Sequence, residues 1–149
     1  ASKAAGELLV KAAGQSHGLI YNITRSSNNY GPRQTSEKFI PKVIKCILSN
    51  EKIPVYGQGH QIRDWTHVFD NCSGIMDILN KGIPNETYNI AVNQEFTNIE
   101  IVQKICNLMN KGHSLIEFVK DRPGHDFRYS INASKIKCLG YLANQWHLK

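Results

Sequence analysis

LIYNITRSSNNYGPRQTSEKFIPKVIKCILSN, residues 19–50, carries three patterns in succession. LIYNIT, residues 19–24, is a short apolar run with β-branched members and reads as a mostly buried strand. RSSNNYGPR, residues 25–33, gathers serines, paired asparagines and a Gly-Pro breaker, the composition of a turn. Residues 37–50 then place Ile40, Val43, Ile44, Ile47 and Leu48 at i, i+3, i+4, i+7 and i+8, the spacing of an amphipathic helix. Pro41 falls near its start, where a missing N–H costs least. Strand, polar turn and helix in that order are the building unit of an α/β fold. In such folds the loop beyond a strand is where ligand-holding groups collect.

The same alternation continues on both sides. Upstream, residues 2–16 put Ala5, Leu8, Leu9 and Ala12 on one helical face, and Gly18 ends the element. Downstream, KIPVYG is a short strand running into the glycine-rich turn GQGHQ. IRDWTHVFD (62–70) is strand-like, and Asp70 offers an N-cap for the helix NCSGIMDILNKG. TYNIA (87–91) is another strand, and TNIE (97–100) fits a capping box in which Glu100 reaches back to Thr97. The helix it opens carries Ile99, Val102, Ile105, Cys106 and Met109 on its apolar side. IEFV (116–119) is a last strand, followed by the polar loop DRPGHDFRYS and a short helix ending at Gly140. No repeat and no linker divides the chain, so the expectation is one α/β unit.

Composition narrows the classes. Over 149 residues, 41% hydrophobic and 20% charged content is that of a soluble globular protein, and no apolar run reaches the length of a membrane span. The first residues, ASKAAGELLVKAAG, lack the basic-then-apolar layout of a signal peptide, and they start inside a helix. The expectation is a chain that begins mid-protein and works in the cytoplasm. A net charge of +6 favours anionic ligands, yet the basic residues are dispersed singly, against a nucleic-acid partner. Cys46, Cys72, Cys106 and Cys138 form no CxxC pair, so zinc and redox spacings are absent and reduced thiols are expected.

Four polar clusters follow or interrupt the strands: SSNNYGPR, YGQGHQIRD, AVNQEFTN and DRPGHDFR. Loops of this kind converge on one crevice. Arg63 and Arg122 each stand beside an aspartate in a glycine-containing loop, and an arginine fork matches phosphate oxygens bidentately. They read as a diphosphate clamp. The plainer alternative is that Arg63–Asp64 and Arg122–Asp121 are surface pairs contributing little. His60 and His125 are equally compatible with solvated loop side chains, and no metal-ligand spacing occurs. GQG at 57–59 lacks the third glycine and the following helix of a dinucleotide fingerprint. The residues alone support an anion-binding crevice on an α/β scaffold and name no reaction.

The order ASKAA, RSSNNYGP with EKFIP, PVYGQGHQIRDW, ETYNIA and DRPGHDFRY resembles the carboxyl-terminal half of the extended short-chain dehydrogenase/reductases, most closely the dTDP-glucose 4,6-dehydratase branch. The resemblance covers residues 1 to about 141. It implies a Rossmann-like fold with a smaller substrate-binding domain, NAD as cofactor, a dTDP-glucose or UDP-glucose substrate, and a homodimer when full length. The net reaction it implies is a dehydration: C4 is oxidised, water leaves across C5–C6, and hydride returns to C6.

Residue by residue, Lys3 resembles the lysine of the YxxxK motif, which holds the cofactor and lowers the pKa of the tyrosine. Asn29 resembles the contact at the nicotinamide end, and Asn28 a contact to the substrate. Lys38 and Phe39 match the nucleotide-sugar pocket, and Pro54, Val55 and Tyr56 the segment flanking base and ribose. Arg63 matches the diphosphate arginine. Asn98 matches either a further substrate contact or an ordinary first-turn helix residue. Asp121, Arg122, Pro123, Gly124 and His125 match the loop that closes on the nucleotide, with Tyr129 extending that wall.

The family's tyrosine, its Gly-rich NAD loop and its Asp-Glu elimination pair would all precede Ala1, so the chain as given is expected to be inactive alone. The last eight residues, LANQWHLK, depart from the family pattern. Nucleotide-sugar epimerases, decarboxylases and a non-catalytic nucleotide-sugar-binding relic are the alternatives.

Overall fold

The computed structural model describes residues 1–143; residues 144–149, most of the divergent LANQWHLK, lie outside the described part. Helix α1 (Ser2–His17) is closed by Gly18, whose φ of 67° is the left-handed conformation a C-cap requires. None of its residues is buried, and Leu8 and Leu9 are exposed. It is tied to the next element by a bidentate contact in which Arg25 Nε donates to Glu7 Oε1 at 2.8 Å and Nη2 to Oε2 at 2.5 Å.

The run read as a strand over 19–24 starts later. Strand β1 is Ile23–Ser26, and of its residues only Ile23 is buried. Leu19 and Ile20 are exposed. The segment read as a turn also differs, because Asn28–Tyr30 forms a second strand, β2. The chain stays extended and changes partner. β1 runs parallel to β5 (Thr87–Ile90), whereas β2 runs parallel to β4 (Ile62–His67). The switch falls at Ser27, whose N–H donates to the Ile90 carbonyl at 3.0 Å while its Oγ lies 2.7 Å from Thr66 Oγ1. Short polar side chains let one residue satisfy both sheets, a use that composition cannot tell from a turn.

Helix α2 (Phe39–Leu48) buries Ile40, Val43, Cys46 and Ile47. Its inward stripe is rotated slightly from the expected one, so Cys46 packs inside while Leu48 is exposed. Strand β3 (Ile53–Tyr56) pairs in parallel with β7 (Ile116–Val119). Helix α4 (Asn98–Leu108) opens on the expected capping box: Glu100 N–H donates to Thr97 Oγ1, and Thr97 N–H donates to Glu100 Oε2 at 2.7 Å. These elements enclose the first core, in which Ile47, Ile53 and Ile101 are each at most 1% exposed. Burial of each stabilises by about 2 kcal/mol.

Helix α3 (Val68–Lys81) follows β4 without an intervening residue. Its cap is therefore His67, whose Nδ1 accepts from the Phe69 N–H at 3.3 Å, and not Asp70. Asp70 sits in the first turn, buried, with Oδ2 unpartnered. A second core joins α3, β5 and the short helix α5 (Ser134–Lys137) around Ile78, Tyr88, Ile136 and Tyr141.

Two further strands lie in segments read as polar loops. β6 (Glu95–Thr97) runs antiparallel to β4, and β8 (Arg128–Tyr129) parallel to it. Arg128 forks onto Glu95 at 2.9 and 2.6 Å, joining the two. All four cysteines are free, with Cys46 and Cys106 buried in the first core as small apolar groups. Among the described residues no helix is long and apolar enough to cross a membrane.

Candidate functional site

Side chains alternate along a strand, so Arg63 and Trp65 face one side of β4 and Asp64 and Thr66 the other. In the parallel register Asn28 stands beside Trp65. Asn28, Arg63 and Trp65 form the floor of a cleft of about 380 Å³. Lys38, Phe39 and Lys42 at the start of α2 make one wall, and Pro54 and Tyr56 of β3 another; Asn98, Arg122 and His125 complete it, with Glu37 at the edge. The four clusters thus meet in one place, brought there by β2, the end of β3, β4, the start of α4 and the loop after β7.

The electrostatics favour an anion. Lys38, Lys42, Arg63 and Arg122 outnumber Glu37 among the charged lining groups. Lys38 lies 3.1 Å from Glu37, an exposed pair of little energetic weight. Arg63 is on a strand, not in a loop, and is only 8% exposed. Its Nη2 donates to the Asp126 carbonyl at 2.7 Å and its Nη1 to the Ile62 carbonyl at 2.6 Å. Among the described residues no carboxylate pairs with it, and burial pushes its pKa below the ordinary guanidinium value. A buried cation bonded to carbonyls, with the Asp126 charge nearby but not paired to it, is stabilised by an anion entering the cleft.

The surface pairs Arg63–Asp64 and Arg122–Asp121 do not form. Asp64 is fully buried and accepts from the Asn93 and Gln94 N–H groups at 2.9 and 3.3 Å. Desolvation raises its pKa, outweighing those two bonds. Asp121 accepts from His125 Nδ1 and Gln61 Nε2, each at 2.7 Å, and from the Arg122 N–H at 2.8 Å. The His125 bond is the largest of the causes that lower its pKa.

Arg122 is free to lie over Tyr56, 5.9 Å from the ring centroid, and His125 meets the same ring edge-on at 6.2 Å. Tyr56 is 41% exposed, a flat surface on which a planar base can stack. Phe39 stacks on Trp65 at 5.8 Å, fixing the opposite wall.

Other sequence-derived candidates lie elsewhere. Val55 points away from the cleft into the first core and is 1% exposed. Asn29, one residue from Asn28, faces the other side of β2 into a separate hollow with Gly31, Pro32 and Val68. Its Nδ2 donates to the Ser27 carbonyl at 3.1 Å, and its Oδ1 is buried without a partner. Lys3 lines a shallow depression with Glu7, Val10 and Ile23. Pro123 and Gly124 form the turn of the closing loop, with Gly124 at φ 67°. Asp121 organises that loop, and Tyr129 stands opposite Arg63 across the β4–β8 pairing. His60 is exposed. No group of three metal-binding side chains occurs among the described residues.

Trp65 and Lys42 line the cleft and Gln61 bonds to its walls, and none of the three was singled out from the sequence. Trp65 was legible: it follows Arg63 by two residues in a strand. Gln61 carried no such signal.

Residues 1–91 match the NAD dependent epimerase/dehydratase family. A dTDP-glucose 4,6-dehydratase from Xanthomonas campestris pv. campestris is 49% identical over 146 residues, covering 92% of this chain and 42% of that protein. The crystal structure of a dTDP-glucose 4,6-dehydratase from Bacillus anthracis, in complex with NAD, is 45% identical with a TM-score of 0.87, covering 93% of this chain and 44% of its own. A UDP-glucuronic acid 4-epimerase from Bacillus cereus, in complex with UDP-glucuronic acid and NAD, is 26% identical with a TM-score of 0.90, covering 98% and 47%. The chain spans less than half the length of each of these three.

Proposed function

The chain belongs to the NAD dependent epimerase/dehydratase family, and we propose that it is the substrate-binding, carboxyl-terminal half of a dTDP-glucose 4,6-dehydratase that acts as a cytoplasmic homodimer. The observation that carries this is the cleft, where a buried Arg63 that no carboxylate pairs with among the described residues and three further cations sit beside an open aromatic face. A nucleoside diphosphate has the matching parts, two phosphates and a planar base. Arg63 and Arg122 would hold the diphosphate, Tyr56 and Pro54 the base, and Asn28 a hydroxyl of the sugar. Binding energy from the nucleotide end is what positions the sugar for reaction.

Lys3 and Asn29 are the residues of this chain that would hold NAD, the catalytic part assigned to Lys3. The partnerless buried Oδ1 of Asn29 fits a donating carboxamide. NAD, when bound, supplies the hydride acceptor and donor for the sugar. Asn28 and Asn29 face opposite sides of one strand, so the same backbone would fix sugar and cofactor relative to each other.

Calorimetric titration with dTDP, UDP and their glucose conjugates tests the reading. Saturable binding of dTDP ahead of UDP is expected; binding of neither would overturn it. A UDP-sugar 4-epimerase is the second reading, because the Bacillus cereus enzyme shares the fold at a TM-score of 0.90, the same value as a Streptomyces venezuelae dTDP-glucose 4,6-dehydratase. It predicts that UDP binds more tightly.

A further inference from the structure

Gln61, the residue just before β4, is 7% exposed and bonds to three segments that wall the cleft. Its Nε2 donates to Asp121 Oδ2 at 2.7 Å and to the Tyr56 carbonyl at 3.4 Å. Its Oε1 accepts from Asn98 Nδ2 at 3.4 Å, and its backbone carbonyl accepts from the Asn98 N–H at 3.0 Å. One neutral side chain therefore ties together the end of β3, the start of α4 and the turn over residues 121–125. An amide suits this position because it offers a donor to the carboxylate and an acceptor to the asparagine at once.

The two oxygens of Asp121 divide the work. Oδ2 takes the Gln61 bond, while Oδ1 takes His125 Nδ1 and the Arg122 N–H. The turn is thereby shaped by one oxygen and anchored by the other, and the anchor is a hydrogen bond to a charged group, the stronger kind. Gly57 allows the close approach. A Cβ there would lie 3.3 Å from Asp121 Oδ2 and 3.6 Å from Gln61 Nε2, and its φ is +59°. Arg122 and His125, the two groups held against the Tyr56 ring, both belong to this anchored turn.

We propose that Gln61 is a positioning residue: it touches no ligand, but holds Arg122 and His125 against Tyr56 and so sets the affinity of the cleft for a nucleoside diphosphate. The ligand half of this statement rests on the nucleotide-sugar reading; the positioning half does not.

Amide hydrogen exchange on the ligand-free protein tests the positioning half. Gln61→Ala and Gln61→Glu are expected to speed exchange over residues 121–126 about tenfold while leaving α4 unchanged. Unchanged exchange in the turn would overturn the proposal whatever the cleft binds. Titration with dTDP tests the other half, and Gln61→Ala is expected to weaken binding about tenfold.

In Gln61→Glu two carboxylates face each other, repelling when both are ionised and sharing a proton when one is not. The charged or titratable groups around them are Arg122 and His125 of the turn and Arg63 on β4; Asn98 brings none. Relative to the parent, the affinity of Gln61→Glu should recover as pH falls from about 7 to about 5. A pH-independent deficit equal to that of Gln61→Ala would overturn the assignment, because lost packing has no proton dependence. If the parent binds neither dTDP nor UDP, the nucleotide-sugar reading falls, and the exchange rates still decide Gln61.

Discussion

Helix α2 borders two hollows of opposite character. At its amino end Lys38, Phe39 and Lys42 line the cleft of about 380 Å³. Along Ile40, Pro41, Ile44 and Leu48 it lines a groove of about 920 Å³, closed by Ile105, Leu108 and Met109 of α4 and its cap. The groove is the larger and the more apolar, and size alone would select it. Among the described residues only Arg33 and Lys45 bring charge to it. In the cleft, four cations, two amides and an open ring converge from six segments of chain. A few placed polar groups, and not volume, distinguish a recognition site.

The largest test of that contrast is Arg63→Ala. It removes a buried cation and its bonds to the carbonyls of residues 62 and 126, so dTDP affinity is expected to fall about a hundredfold. Calorimetry showing unchanged affinity would place the anion site elsewhere.

Gly59→Ala attacks the turn that carries the cleft. Gly59 has a φ of +73°, and a Cβ would lie 2.8 Å from both Ile99 Cβ and Val55 Cγ1. A loss of about 2 kcal/mol in urea unfolding is expected, and a variant as stable as the parent would refute the steric account.

Asn28→Ala sharpens the division within the cleft. It should weaken dTDP-glucose about tenfold and dTDP less than about twofold, and equal losses would refute a sugar-facing role.

Glu95 tests the frame that holds the floor. The Arg128 fork, with a further bond from Ser130, holds its carboxyl at a pKa of about 2. Since the folded value lies below the unfolded one, this contribution is present above about pH 4.5 and is lost as pH falls towards about 2. Both side chains are partly exposed, so Glu95→Gln should cost no more than about 1 kcal/mol at neutral pH. The gap from the parent should close in acid.

Leu48→Glu in the groove is the smallest expected effect. Leu48 is 74% exposed, so stability should change by less than about 0.5 kcal/mol and dTDP affinity not at all. A marked loss of binding would reverse the ranking of the two hollows.

The sequence was informative where a pattern repeats at short range. The 3.6-residue spacing located α2 and α4, Thr97 and Glu100 declared a capping box, Gly18 declared a C-cap, and IEFV was a strand to the residue. It was less informative where local composition permits two states. Asn28–Tyr30 read as a turn because Asn, Gly and Pro favour turns, yet pairing with β4 holds it extended. The short strands β6 and β8 had the same fate: two or three residues are too few for alternation to show, and only β4 between them makes them strands. Asp70 lost the cap to His67 because β4 runs into α3 without a loop.

By itself, then, the sequence determined an α/β scaffold, its principal helices, and four polar clusters rich in groups that suit a phosphate. Those properties follow from neighbours along the chain, which side-chain chemistry and period express directly. Tertiary structure alone decided which members of the clusters meet. Asn28 and Asn29 are adjacent in sequence and part to opposite faces of a strand, Val55 turns inward between Pro54 and Tyr56, and Gln61 bonds to residues 37 and 60 positions away. The pleat and the strand register set those directions, and both are fixed by pairing partners far along the chain.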